Sequence, residues 1–203
     1  MLDQQIIFIL DKIGIFAFSF IAVVMGVKKK LDIFGLLVIG VASSVGGGII
    51  RDVILNKVPF AISNPDYLLF AYGTSLLAIL LLHLKLLIPN KILAFLDTLG
   101  LAAFATAGAS ISISLNLSIF HTVLFAVITA VGGGLIRDIL LNEIPFILKR
   151  EIYATAAGVG GLIIHLLFKL GVNISYAVLA GLILVILLRL YAIQKKLHLP
   201  IIR

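Results

Sequence analysis

The chain has 203 residues, 62% of them hydrophobic and only 12% charged, with a mean hydropathy of +1.26. A soluble domain of this length has too little polar side chain to cover its surface, so lipid is part of its solvent and a separate soluble domain is excluded. The net charge of +7 is read as orientation by basic loops rather than as a nucleic-acid surface, and the lack of cysteine excludes disulfides, thiolate metal sites and a cysteine nucleophile.

At roughly 20 apolar residues per span, the apolar runs predict an all-α integral membrane protein. Its seven transmembrane helices lie near 5–27, 31–57, 65–88, 92–113, 117–143, 148–170 and 174–193. The first run follows Met1-Leu2-Asp3-Gln4-Gln5, which lacks the basic region and cleavage site of a signal peptide, so it is read as retained. The breaks between runs are Lys28–Lys30, Asn56 to Pro65, Pro89-Asn90-Lys91, Ser114–Asn116, Glu143 to Glu151 and Gly171–Asn173.

Lys28, Lys29, Lys30, Lys85, Lys91, Lys149 and Arg150 fall on one face, joined there by Arg189, Lys195, Lys196 and Arg203 of the C-terminal segment. The other face holds only Lys12, Arg51, Lys57 and Lys169. Basic loops stay cytoplasmic, so this split predicts a multi-pass cell-membrane protein with its N-terminus outside and its C-terminus inside.

The chain also repeats itself at an offset of 86 residues: Gly46-Gly47-Gly48-Ile49-Ile50-Arg51-Asp52 returns as Gly132-Gly133-Gly134-Leu135-Ile136-Arg137-Asp138. In the same register Asn56, Pro59-Phe60, Tyr67 and Ala71 return as Asn142, Pro145-Phe146, Tyr153 and Ala157. Asp11, Gly14, Ala17-Phe18 and Ile33-Phe34 likewise return as Asp97, Gly100, Ala103-Phe104 and Ile119-Phe120. The predicted organisation is a three-helix repeat over 1–88, a second over 89–172, and a seventh helix with a basic tail over 173–203. An odd number of helices per unit inverts the second copy, and inverted repeats with interrupted helices are typical of proteins that move solutes.

Three consecutive glycines inside a helix weaken it, by about 1 kcal/mol each relative to alanine. The triplets therefore predict kinks in the second and fifth spans, with freed carbonyls lining a wet path; close helix packing by small residues is the alternative. Ser43, Ser44 and Thr129 precede the triplets and offer hydroxyls to such a lining, or bond back to their own helices. Arg51 and Arg137 follow one turn later, each beside an aspartate, Asp52 or Asp138. Neighbouring side chains on a helix diverge, so the expected partners are Asp11 for Arg51 and Asp97 for Arg137, two charge pairs that gate the ends of a path or fix helix register.

His83, His121, His165 and His198 form no ligand set and are read as interfacial residues, so no metal site is expected. No HExxH, GxSxG, Walker or GxGxxG pattern occurs, and an enzyme is not expected. The basic clusters Lys28–Lys30 and Lys195-Lys196 are topology signals, with attraction to anionic lipid a secondary role.

On the duplicated Gly-Gly-Gly-Ile/Leu-Ile-Arg-Asp motifs, and on length, spans and topology, nearly the whole chain resembles the prokaryotic branch of the trimeric intracellular cation channel family. The resemblance implies a homotrimer with a hydrated pore inside each protomer. It implies passage of the monovalent cations K⁺ and Na⁺, with the bent second and fifth helices lining and gating the path at Gly46–Gly48 and Gly132–Gly134. No cofactor is implied beyond a permeant K⁺ or Na⁺ held in the pore. Animal members carry basic residues in the fourth helix that are linked to phosphoinositide and voltage control; Thr98 to Ser118 holds no charged residue here, so that regulation is not carried over. The alternative function is a carrier for a small solute such as an amino acid, working by alternating access.

Overall fold

The computed structural model describes residues 4–149, 152–195 and 197. Arg150, Lys196, His198 and Arg203, which entered the count of basic and histidine residues, lie outside them. Among the described residues the elements are α1 (Gln4–Lys28), α2 (Ile33–Ile54), α3 (Phe60–Ser63), α4 (Pro65–His83), α5 (Asn90–Ser114), α6 (Ile119–Leu140), α7 (Phe146–Lys149), α8 (Ala154–Lys169) and α9 (Ile174–Lys195). Six of these are long and apolar enough to cross a membrane, and α8, at 16 residues, is a shorter apolar helix. The chain is thus an all-helical, multi-pass membrane protein.

Helix ends differ from the predicted spans because hydropathy does not register backbone conformation. Lys30, Asn56, Lys85, Asn116, Asn142 and Gly171 all adopt positive φ, between 53° and 82°, two residues beyond the last residue of a helix. At each, two N–H groups turn back onto free carbonyls: Asn56 N–H donates to the Val53 carbonyl oxygen and Lys57 N–H to that of Asp52. This is the left-handed cap that asparagine and glycine favour. It ends the third span at His83 although Leu84 and Leu86–Ile88 remain apolar. The predicted helix 148–170 is likewise divided, into α7 and α8, and Phe60–Ser63, read as part of a break, is a helical turn.

The central helices α1 and α5 are the most buried, and α4 and α9 the least. Leu69, Leu76 and Leu80 on α4 and Tyr176, Leu179 and Leu187 on α9 point outward, as apolar side chains do when the surrounding solvent is lipid. α9, which has no counterpart in the repeat, packs on α8 and α5. Gly160 accommodates Val185 there, and Gly181 accommodates Ile164.

Contacts across the middle are reciprocal at the 86-residue offset. Gly14 lies under the Phe104 ring and Gly100 under the Phe18 ring, and the two rings meet edge to face at 5.3 Å. Gly47 faces the Thr129 carbonyl oxygen, while Gly133 faces that of Ser43. Gly46 meets Ile136, and Gly132 meets Ile50. Each contact recurs with its partners exchanged, the pattern an isologous interface produces.

Both glycine triplets lie on this crossing. The sequence predicts kinks or close packing at the triplets; α2 and α6 pass through them as continuous α-helix, and the triplets pack closely. The reason is packing: a methyl group on Gly47 or Gly133 would collide with a backbone carbonyl of the other helix, and one on Gly132 would lie 2.9 Å from Gly47 Cα. Small residues let two backbones approach where lipid supplies no hydrophobic drive between helices.

Candidate functional site

Charged groups inside an apolar bundle need partners or a wet path. Arg51, near the end of α2, and Arg137, near the end of α6, are almost fully buried. Each pairs with the next residue: Arg51 Nε donates to Asp52 Oδ1 and Arg137 Nε to Asp138 Oδ1, both at 2.8 Å. The expected ion pairs Asp11–Arg51 and Asp97–Arg137 do not form.

The divergence rule for neighbouring residues fails here because the chain reverses just beyond the helix. Asp52 Oδ2 accepts the Phe60 N–H at 2.9 Å, and Asp138 Oδ2 accepts that of Phe146 at 2.8 Å. The carboxylates are thereby drawn toward the short helices, and the long arginine side chains follow. Each guanidinium carbon lies 5.5 Å from the ring centre of Phe60 or Phe146, within cation–π range.

The two aspartates of α1 and α5 have different surroundings. Asp97 Oδ1 accepts the Tyr153 hydroxyl at 3.2 Å, and its Oδ2 lies 3.5 Å from Nη2 of Arg189, supplied by α9. Asp11 is buried, and its Oδ1 has no hydrogen-bond partner among the described residues. Lys12 does not serve it: Nζ donates to the Asp66 carbonyl oxygen at 2.6 Å and lies 4.7 Å from the centre of the Phe70 ring.

Several other buried polar atoms lack protein partners: Arg51 Nη1, both Nη atoms of Arg137, Arg189 Nε and Ser43 Oγ. Buried groups of this kind call for water or an ion, since leaving one unsatisfied costs about 1–3 kcal/mol. Among the three hydroxyls proposed as a lining, Ser44 bonds back to the Val41 carbonyl oxygen and Thr129 to that of Phe125. Only Ser43 has its hydroxyl oxygen unused. Gly134 is the roomy member of its triplet; a methyl there would lie 3.7 Å from Arg137 Nη2 and from the Tyr153 hydroxyl.

A cavity opens at each end of the bundle. On the face carrying Lys28–Lys30, hereafter the basic face, about 510 Å³ is bounded by Met25, Leu93, Ala94, Asp97, Phe146 and Arg189 among others. On the opposite face about 480 Å³ is bounded by Gln5, Ile7, Phe8, Asn64, Tyr67 and Ile111. Ile7 and Phe8 match Leu93 and Ala94 at the 86-residue offset, and Met25 matches Ile111, so the two cavities share corresponding positions of α1 and α5. The rim of the first carries an exposed Lys29–Glu143 ion pair between the α1–α2 and α6–α7 turns. Such pairs contribute at most about 1 kcal/mol.

Sequence reasoning missed Arg189, which it counted as a boundary charge; the residue is 3% exposed and its side chain sits on Asp97. The signal was present, since a lone arginine within Leu187-Leu188-Arg189-Leu190 is an intramembrane charge. Tyr67 and Tyr153 were seen only as repeat matches. His165, read as interfacial, is buried with Nδ1 2.8 Å from the Thr122 hydroxyl.

A sequence family described as "Glycine transporter" matches residues 8–83 and again residues 94–169. The UPF0126 inner membrane protein YadS of Escherichia coli (strain K12) is 39% identical over 97% of this chain and 96% of its own length. A UPF0126 membrane protein of Vibrio cholerae is 35% identical over 98% of this chain and 84% of its own length. Among solved structures, a TRIC cation channel described in terms of conductance is similar at TM-score 0.89 and 35% identity, covering 100% of this chain and 98% of that one. A prokaryotic TRIC channel crystallised in 0.5 M KCl gives TM-score 0.87 at 37% identity, over 97% of this chain and 100% of that one. The trimeric intracellular cation channel orthologue from Rhodobacter sphaeroides gives 0.88 at 32% identity, over 96% of this chain and 100% of that one.

Proposed function

The chain belongs to the prokaryotic branch of the trimeric intracellular cation (TRIC) channel family, and on that premise we propose that it conducts monovalent cations, K⁺ and Na⁺, through a pore inside each protomer of a homotrimer. The observation that carries the reading is the pair of cavities on opposite faces, each with an Asp-Arg-Asp-Tyr set at its end of the bundle, buried throughout except for the half-buried Asp97. The unsatisfied oxygens of Asp11 and Ser43 mark positions where water or a cation gains a partner, and the unsatisfied N–H groups of Arg51 and Arg137 mark positions where water does.

In this reading α1, α2, α4 and α5, α6, α8 are the two halves of an inverted repeat, which accounts for the reciprocal contacts, and the bundle has seven spans. The basic face is cytoplasmic and the N-terminus is outside. The glycine crossing of α2 and α6 separates the cavities in this conformation, so conduction requires these helices to bend or slide. Glycine triplets lower the cost of such a movement.

The description of the matching family as a glycine transporter names a different activity, transport of an amino acid. The channel reading is preferred because the similar solved structures described as cation channels match along the full chain. Recording purified protein in a planar bilayer under a K⁺ gradient separates the two. A channel gives unitary steps that reverse near the K⁺ equilibrium potential. Silence from folded protein, with saturable amino-acid uptake in liposomes, establishes the carrier instead.

A further inference from the structure

The two ends of the bundle are built from corresponding residues, yet among the described residues α9 gives a charged side chain to one of them alone. At the opposite face the set is Asp11, Arg51, Asp52, Phe60 and Tyr67; at the basic face it is Asp97, Arg137, Asp138, Phe146 and Tyr153. Each set has an added cation over its tyrosine ring, Lys12 at 4.9 Å from the centre of Tyr67 and Arg189 at 4.7 Å from that of Tyr153, but among the described residues only Arg189 reaches the carboxylate of its set.

Its guanidinium is held from three sides. Nη1 donates to the Ile152 carbonyl oxygen at 3.0 Å, the carbon Cζ lies 4.7 Å from the centre of the Tyr153 ring, and Nη2 lies 3.5 Å from Asp97 Oδ2. A charge-assisted N–H···O bond of full strength is about 2.7–2.9 Å long, so the contact with Asp97 is the loosest of the group's attachments. Nε has no partner. Both Asp97 and Arg189 border the cavity of about 510 Å³, so the pair faces the space from which a cation would arrive. Asp11, the corresponding carboxylate, has an unpartnered oxygen and no comparable arginine, since Arg51 is committed to Asp52 and Lys12 to Asp66.

We propose that Arg189 is a tethered counter-ion that occupies Asp97 in place of a permeant cation, closing the basic-face end of the pathway while the Asp11 end has no such competitor. The inference rests on the cation-pathway reading and adds to it a gate residue and a direction. Entry from the basic face requires Arg189 to leave Asp97 while Ile152 and Tyr153 retain it nearby. Entry from the opposite face does not, although exit at the basic face does, and a barrier at one end only makes the current asymmetric with voltage. α9 thereby acts as the element that makes a symmetric bundle rectify.

The chain has no cysteine, so Ser43→Cys places one reporter at the unused hydroxyl between the two ends. Its modification by a positively charged, membrane-impermeant methanethiosulfonate is timed from each face of oriented proteoliposomes, with Arg189 intact, as Arg189→Gln and as Arg189→Lys. Arg189→Gln is expected to speed modification from the basic face by on the order of tenfold, within the usual range of coupling between sites, with no change from the opposite face. Arg189→Lys, too short to hold Ile152 and Asp97 together, is expected to fall between, and it carries the test alone where Arg189→Gln does not fold. Unchanged rates in folded protein, or equal acceleration from both faces, overturn the proposal and leave Arg189 as a staple for α9. Because labelling needs no ion flux, accelerated labelling without unitary currents retires the channel reading and keeps the gate. Unitary currents with unaltered labelling do the reverse.

Discussion

Asp52 and Asp138 each accept one hydrogen bond from the preceding arginine and one from a backbone N–H eight residues on. The carboxylate therefore joins the end of a long helix to the start of a short one, and truncating its partner leaves a buried charge exposed to an apolar interior. Arg137→Ala is expected to cost about 3–5 kcal/mol, read from denaturant or thermal unfolding in detergent. Asp11→Asn removes a carboxylate whose Oδ1 has no partner, so stability is expected to hold while unitary K⁺ current falls. A fall in stability matching that of Arg137→Ala would show that Asp11 is structural. The charged residues themselves were legible in the sequence, because arginine and aspartate inside apolar runs are conspicuous. Their pairing was not, since it depends on where the chain turns after Asn56 and Asn142.

At the level of the helix, the glycine triplets show how one composition serves two ends. Gly133 faces the Ser43 carbonyl oxygen directly, whereas Gly134 has room for a methyl group beside Arg137 and Tyr153. Gly133→Ala is expected to destabilise by about 1–3 kcal/mol, the usual cost of overpacking, because the obstructing atom is backbone and cannot rotate away. Gly134→Ala is expected to gain up to about 1 kcal/mol of helix propensity and to lower conductance by narrowing the space beside Arg137. Unfolding midpoints of the two variants, with single-channel currents of the second, check both outcomes; equal destabilisation would rule out the packing argument. Sequence alone predicts a weak point at three glycines but cannot say that a second helix will fill it.

For the whole molecule, topology and assembly are the testable quantities. Val58, between α2 and α3, and Leu87, between α4 and α5, are 67% and 96% exposed on opposite faces. In cells, Val58→Cys is expected to react with an impermeant maleimide from outside, and Leu87→Cys only after the membrane is opened. The reverse pattern would invert the proposed orientation. Native mass spectrometry from detergent is expected to give three copies of the chain; a monomer that still conducts would leave the pore assignment intact and remove the trimer.

The sequence by itself determined the solvent, the helical class, the positions of the main apolar helices and the duplication. These rest on composition and periodicity, which act locally and survive without any knowledge of packing. The tertiary structure decided three things that depend on distant residues meeting. It set the glycines of α2 against the backbone of α6, turned Asp52 and Asp138 onto their neighbouring arginines, and brought Arg189 of α9 onto Asp97. A side chain's partner inside lipid is chosen by which helix lies alongside, and that choice is made by the fold of the whole chain.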